Sequence, residues 1–500
     1  MKAERIKQLF TLHDTGAFAG LFADVFSKIA IIITVLTAGG TMPASLVLGK
    51  ILPGLAAGSI VGSLLYVREA YRLGIKENRT DVTALPFGIG STQVFGWLFI
   101  IILPVYRQTG DAVLAWSVGI AACFIGGLVE IAGAITADTV KKYIPQSALI
   151  ANMAAAAFIW LSFNGIVTVF NQPALALPAF FIALISIFRR KNIVPRIPNT
   201  LLILGIGSIS AWLTHTAGTQ QLQTALNGAG WYPPHLCLSA LIRGLRSCTP
   251  YLSVIIPLQI ANVITTIQAA ESAALSGDRY PLRRTLMIDG LTTIISALFG
   301  SPFPTTVYFG HSGWKRIGAR SGYLALMPAA YILLFFGIPL IMTALIPFEV
   351  IIIFVITAGI TVVIDVHNTL PEDHGITVYL SFIPLLAQYI ISIFETVLPV
   401  LGTSLQALQT TEEIAGTAVT GLLHLSQGAF ASSLLYSIWI AYILEKNYRA
   451  AGITAAVLAV LAAIGFIHQP EISFLPAGSI PFAAIYGCLS VVCMMMKKEN

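Results

Sequence analysis

Charge is what this chain lacks. Of its 500 residues, 56% are hydrophobic and only 10% are Asp, Glu, Lys or Arg, whereas soluble domains carry about 25% charged residues. The mean hydropathy is +0.84. A soluble fold of this length needs several domains with charged surfaces, so the lipid bilayer is the solvent for most of the chain. That excludes soluble enzymes, nucleic-acid binders and disordered scaffolds. Cysteine is scarce as well: Cys123, Cys237, Cys248, Cys488 and Cys493 show neither CxxC nor Cys/His metal spacing. Cys237 and Cys248 flank one segment, and pairing them would require an oxidising compartment. There is no Walker loop, no HExxH and no GxSxG elbow, so no cofactor or metal is expected. The leading Met1-Lys-Ala-Glu-Arg-Ile-Lys7 lacks the apolar run and small-residue cleavage site of a signal peptide and reads as a cytoplasmic lead-in.

Long apolar runs are what the chain has in abundance. A helix crossing the hydrocarbon core needs about 20 mostly apolar residues. Sixteen stretches approach that scale: 17–38, 43–66, 84–105, 112–137, 147–170, 173–188, 198–214, 251–274, 287–300, 303–318, 321–345, 349–365, 376–394, 421–443, 450–467 and 478–496. Starting from a cytoplasmic N-terminus, most of the 28 Lys and Arg then fall in inside loops, for example Arg68, Arg72, Lys76 and Arg79, or Arg279, Arg283 and Arg284. The positive-inside rule asks for this bias, and one missed or invented span would reverse it downstream. A multi-pass protein of the cell (inner or cytoplasmic) membrane is expected, with both termini cytoplasmic. The polar stretch 215–250, with Trp231-Tyr-Pro-Pro-His235, and the stretch 399–420 are the sizeable outside loops.

Two stretches are interrupted by Pro and Gly. The third reads Ala84-Leu-Pro-Phe-Gly-Ile-Gly-Ser-Thr-Gln93, and the tenth Gly300-Ser-Pro-Phe-Pro-Thr-Thr-Val-Tyr-Phe-Gly-His-Ser-Gly313. Pro86, or Pro302 with Pro304, breaks a helix interior. Extended backbone at membrane depth persists only where protein or a watery cavity satisfies it. Each stretch therefore reads as a short strand followed by a half-helix. Their positions correspond if segments 1–7 and 8–14 are repeats, and an odd repeat of seven inverts the second copy. Interrupted segments at matching positions of two halves point to a transporter's midplane site. The expected architecture is an all-α polytopic membrane protein: a 7+7 inverted repeat over 1–250 and 251–445, plus two additional C-terminal spans in 446–500.

Asp289-Gly-Leu-Thr-Thr293, then Phe299-Gly-Ser-Pro-Phe-Pro-Thr-Thr306, resembles the signature of the nucleobase–ascorbate (xanthine/uracil) permeases. Asn262-Val-Ile-Thr-Thr-Ile-Gln-Ala-Ala-Glu-Ser272 and Tyr308-Phe-Gly-His-Ser-Gly-Trp-Lys315 look like a branch near the adenine/guanine permeases. The resemblance covers 251–325 strongly, runs collinearly through the first fourteen segments, and leaves out the last two spans. It implies a substrate-carrying core of segments 1–4 and 8–11 moving against a gate of segments 5–7 and 12–14. It also implies strands of segments three and ten meeting at the centre, their half-helix N-termini facing the substrate. The family's acidic substrate position falls on Asn262, and its second Glu falls near Phe309 or Gly310, so both family carboxylates are replaced.

Read by residue, segment eight places Gln259, Asn262 and Thr266 on one face within about 60°. Amides offer both donor and acceptor, which suits a neutral or zwitterionic planar ligand; interhelical hydrogen bonding is the alternative. Phe87, Gly88, Ile89, Gly90 and Ser91 in segment three, and Thr305, Thr306, Tyr308, Gly310 and His311 in segment ten, line the same centre. Phe87 and Tyr308 either stack on a ring or pack in the core. Ionisable groups inside spans are functional candidates by default: Asp24, which sits four before Lys28 as an internal ion pair, Glu130, Glu271 and Asp289. Asp289 is expected to tie backbone together near the broken segment. His311, with no carboxylate or Cys at ligand spacing, is not read as a metal ligand.

These features lead to an expected secondary active permease for a nucleobase-like or other small polar solute, without enzymatic activity. A gradient supplies the energy through a coupling cation, proton or sodium, and pairing as a homodimer is an analogy with related permeases. A small-anion transporter of the same fold (sulfate, bicarbonate or carboxylate) is the alternative, since missing midplane carboxylates suit an anion. A transporter-like sensor or integral-membrane enzyme is the reading from another class.

Overall fold

The computed structural model describes residues 10–37, 41–189, 193–194, 199–216, 218–307, 310–346, 348–403, 405, 417–470 and 473–496. Each of the sixteen apolar stretches has a counterpart, because a helix closes its own backbone hydrogen bonds, as hydrocarbon demands. In chain order these begin with α1 (His13–Thr37), α2 (Ala44–Glu77), and strand β1 (Phe87–Ile89) with its half-helix α3 (91–109). They continue with α4 (Ala112–Tyr143), α5 (146–171), α6 (Pro173–Arg189) and α7 (Asn199–Leu213). Two short helices, α8 (Thr219–Asn227) and α9 (Leu238–Ser247), fill the polar stretch between the halves. Then come α10 (Leu252–Leu275), α11 (Leu282–Leu298), strand β2 (Thr305–Val307) and half-helix α12 (His311–Arg316). The pair α13 (Gly322–Phe336) and α14 (Ile338–Leu345) bends by 88°. After α15 (Phe348–Thr369) and α16 (Ile376–Val397), the pair α17 (Ala418–Ser426) and α18 (Ala429–Leu444) bends by 87°. The chain closes with α19 (Tyr448–Ala463) and α20 (Ile480–Met495).

Among the described residues, seven helices are long and apolar enough to cross a membrane alone, or nine if each bent pair is one span. The order helix, helix, strand, half-helix occurs twice, once from α1 and once from α10. Cys237 and Cys248 are free, buried thiols.

The chain forms two compact units, and each draws on both sequence halves. The first takes in residues up to Ala137, Leu161–Cys248 and Asn262–Ala358; the second takes in Asp138–Trp160, Thr249–Ala261 and the chain from Gly359. In the first unit β1 and β2 pair antiparallel, with Phe87 opposite Val307, Gly88 opposite Thr306 and Ile89 opposite Thr305. A glycine stripe on α2 makes room for them. A Cβ on Gly54 would lie 2.5 Å from the Phe299 carbonyl oxygen, one on Gly58 1.9 Å from Ser296 Oγ, and one on Gly62 2.0 Å from the Phe87 ring. This i, i+4, i+8 spacing is the small-residue pattern that lets membrane helices approach closely. The α4–α11 contact is similarly tight, since a Cβ on Gly127 or on Gly290 would strike the other's carbonyl oxygen.

In the second unit, Asn152 Nδ2 on α5 donates to Ser433 Oγ on α18 at 2.6 Å, and Ser433 donates to the Ser381 carbonyl on α16. The last two spans pack on each other, Ser490 Oγ reaching the Gly452 carbonyl at 2.7 Å. The 464–476 loop between them exchanges two hydrogen bonds with the α17–α18 bend: His468 Nδ1 to the His424 carbonyl, and His424 Nδ1 to the His468 carbonyl.

Candidate functional site: the strand crossing and its carboxylates

The crossing is tied to its helices through threonines. Thr293 Oγ1 on α11 donates to the Thr305 carbonyl at 3.0 Å and accepts the Thr305 amide at 3.1 Å, while Thr305 Oγ1 reaches Thr292 Oγ1 at 2.9 Å. On the other face stands Asp289, wholly buried. Its Oδ1 accepts the Tyr66 hydroxyl at 2.5 Å. Its Oδ2 accepts Thr266 Oγ1 at 2.7 Å, the Val307 amide at 3.1 Å and Thr306 Oγ1 at 3.3 Å. One carboxylate thus joins α2, α10, α11 and β2.

Glu130 on α4 is also fully buried, and its Oε1 accepts Asn262 Nδ2. The Asn262 carbonyl oxygen has no protein partner. Sequence reading suggests a centre without a carboxylate at Asn262; the structure brings one to that residue from a different helix. A span of 132 residues separates the two partners, and no local pattern signals their meeting.

The other sequence-selected residues are distributed around this point. Phe87 is fully buried and packs on Tyr66, ring centroids 5.1 Å apart. Gly88 and Ile89 carry the strand pairing, and Gly90 precedes α3, which opens at Ser91. A Cβ on Gly90 would lie 3.0 Å from Thr306 Cγ2, so the two broken segments touch there. Gln259 is buried one turn before Asn262 on α10, and Glu271 is half-buried further along that helix. Gly310 takes a φ of +128°, a conformation open to glycine. Tyr308 lies outside the described residues. Asp24 pairs with Lys28 at 2.5 Å, the lysine being the buried member.

His311 faces a second cluster, which sequence reading missed. Its Nε2 sits 3.0 Å from Asp278 Oδ2 and 3.1 Å from the Thr83 carbonyl. Two acceptors on one nitrogen place a proton on Nε2. Asp278 Oδ1 accepts Arg79 and Lys315, each at 2.6 Å, and Oδ2 also accepts the Thr83 amide. Burial by itself raises the Asp278 carboxyl, but the hydrogen bonds from His311, Lys315, Thr83 and Arg79 outweigh it and hold the group well below the ordinary carboxylate range. Tyr280 and Tyr323 donate to the carbonyls of Thr83 and Ala84, so the lead-in to β1 is clamped by the α10–α11 loop and the start of α13.

Sequence reading took Arg79 as a marker of the inside face and Lys315 as the end of a permease-like stretch, and passed over Asp278 and Tyr66. Tyr66 did leave a signal, being the next step of four along the stripe Gly54, Gly58, Gly62. Among the described residues, no three His, Cys, Asp or Glu side chains gather as a metal site. An apolar cleft between α1 and the α13–α14 bend, lined by Phe22, Phe26, Met327, Tyr331 and Met342, includes none of the crossing residues.

No protein-family model matches this chain, and no curated protein does. The resemblance to nucleobase–ascorbate permeases therefore rests on the motifs themselves. Among solved structures, the chain is similar to the transmembrane domain of a cyanobacterium bicarbonate transporter, BicA. The TM-score is 0.46 at 16% identity, over 77% of this chain and 97% of that one. At that score the likeness assigns nothing further, and function has to be argued from the chemistry of the crossing.

Proposed function

We propose that this chain is a secondary transporter in the cytoplasmic membrane for a small, neutral, N–H-bearing solute of nucleobase-like chemistry, bound beside the strand crossing. The observation that carries this is the Asn262 carbonyl oxygen, an acceptor shut away from solvent with no protein donor. A buried acceptor left unmatched costs about 1–3 kcal/mol, and a solute N–H placed there removes that cost. Glu130 and Asp289 place two carboxyl groups at the centre, which removes one ground for a small anion, the missing carboxylates; half-helix N-termini aimed at the centre are the other. Paired broken segments supply the alternating-access architecture, and a cation gradient, proton or sodium, supplies the energy.

Purified protein in sealed liposomes is expected to accumulate radiolabelled uracil, hypoxanthine or a related heterocycle, and Asn262→Ala to lower uptake about tenfold or more. Uptake of sulfate or bicarbonate with no heterocycle moving would overturn the reading. Binding without uptake would make the protein a sensor.

A further inference from the structure

We propose that α9 is an interfacial lipid-binding helix, whose arginine edge takes the phosphate of an anionic phospholipid while its apolar edge enters the acyl chains. The inference stands apart from the solute reading above.

At about 100° per residue, α9 divides into three faces. Ala240, Leu241 and Gly244 are buried against the protein. Leu238, Ile242 and Leu245 lie within about 60° of one another and are exposed. Ser239, Arg243 and Arg246 fill the remaining arc and are exposed as well. A helix on a watery surface needs only a buried face and a wet one. A third, apolar face beside an arginine edge is the pattern of a helix lying in the plane of a membrane interface.

The depth of α9 agrees. A Cβ on Gly244 would lie 1.9 Å from the Ser117 carbonyl oxygen and 3.0 Å from the Ala121 Cβ, so α9 sits directly against the backbone of α4. Those two residues stand roughly 8 and 14 Å along the α4 axis from Ala112. That helix is long and apolar enough to cross a membrane, and its second and third turns lie where headgroups give way to acyl chains. The start of α9 is pinned too, because the Cys237 amide donates to the Leu298 carbonyl at 2.8 Å, at the end of α11. With one face and one end fixed, the helix cannot roll to bury Ile242, and lipid covers that side.

Charge selects the headgroup. The topology expected from the sequence gathers most Lys and Arg on the opposite side, so two arginines on this edge run against the positive-inside bias. Arg243 shares Asp111 at 3.3 Å, and among the described residues Arg246 meets no acid. The edge therefore carries surplus positive charge, and a guanidinium can pair two phosphate oxygens at once. Phosphatidylglycerol offers its phosphate without a compensating cation, whereas the ammonium of phosphatidylcholine cancels the charge.

The test places a fluorophore at Ile242→Cys in a Cys488→Ser background, since Cys488 is exposed. The full chain sits in equimolar phosphatidylglycerol and phosphatidylcholine liposomes, with bromine on the acyl chains of one lipid at a time. Chain bromine quenches only a fluorophore that it touches. Both brominated lipids should quench, and the local binding constant should favour phosphatidylglycerol about tenfold. Arg243→Gln with Arg246→Gln should bring that ratio to about one, with quenching by brominated phosphatidylcholine retained. If the double variant does not fold, a salt titration of the arginine-bearing protein carries the same reading, since screening should lower the ratio. Glycerol phosphate, a headgroup without chains, should leave the ratio unchanged. The interfacial helix is refuted if neither brominated lipid quenches, because water or a second copy then covers Ile242. Equal quenching by both lipids refutes the headgroup assignment. Loss of the preference on adding glycerol phosphate refutes it also, and makes the edge a site for a soluble phosphate.

Discussion

Asp278 and Asp289 lie one loop and two helical turns apart, both sealed from solvent, and are satisfied by opposite kinds of donor. Asp278, between α10 and α11, is held by Arg79, Lys315 and His311 together with one backbone amide. Asp289, within α11, receives three hydroxyls and one backbone amide and no cation. At the end of a span, long basic side chains can reach in while their stems stay partly wet; Arg79 and Lys315 remain 23% and 18% exposed. Deeper in, a full ion pair would bury two charges at a desolvation cost that often exceeds the attraction. Short hydroxyls and strand amides do the same work without a second charge. The lesson is that depth selects the donor: cations lock the lead-in to β1, and neutral groups lock the strand itself.

The comparison breaks first where both regions depend on the same close packing. Gly58→Ala puts a methyl 2.6 Å from the Thr292 carbonyl oxygen as well as against Ser296. Backbone on one side leaves it nowhere to go, so a loss of about 3 kcal/mol is expected, read as collapse of the folded peak in size-exclusion chromatography.

The contrast itself is tested by two equivalent changes. Asp278→Asn removes the one anion that three basic groups share, and should cost about 3 kcal/mol. Asp289→Asn keeps an acceptor for Thr266, Thr306 and Val307 while Tyr66 turns to accept from the new NH2, and should cost about 1 kcal/mol. Thermal unfolding in detergent ranks them; the reverse order would refute the account of depth and donor type.

Acidity sharpens the same point. The Asp278 carboxyl is lowered in the fold, while its unfolded value is about 3.9. Its contribution is therefore complete above that value and is lost as pH falls from there toward the lowered folded one. Unfolding midpoints for wild type and Asp278→Asn should converge only in that acid window. The smallest effect belongs to the rim. Arg243 meets Asp111 at 3.3 Å with both side chains well exposed, so Arg243→Ala should shift stability by less than about 0.5 kcal/mol. Asp111→Ala should cost about 1 kcal/mol, because its Oδ1 also caps the amides of Val113 and Leu114 at the start of α4.

Much of the fold was legible because a bilayer writes it in composition. Apolar length marked the spans, and Pro86, Pro302 and Pro304 marked the two breaks where β1 and β2 form. That those strands meet was what the permease resemblance implied, and they pair antiparallel. The centre was less legible. Thr306 and Thr266 stood out as polar residues in apolar runs, and Asp289 was expected to tie backbone together there, but its partner Tyr66 was missed, since the two meet across 223 residues. An amide at Asn262 suggested a centre without a carboxylate there, because sequence shows only the local residue while Glu130 reaches it only in space. Asp278 was invisible for the converse reason: an acid in an inside loop looks solvated until the loops around it close.

Among the described residues three pairs join β1 to β2, and so short a ladder is weak in choosing its own alignment. Shifting one strand by a single residue would swap its two faces. Thr306 would then turn from Asp289 toward the Thr292 and Thr293 hydroxyls, and Thr305 would meet the carboxylate in its place. Because Asp289 takes both the Thr306 hydroxyl and the next amide, while Thr293 takes both polar groups of the Thr305 backbone, only one alignment satisfies all four. The buried aspartate is in this sense a key cut for one notch, and the chain finds the register of its central strands by fitting it.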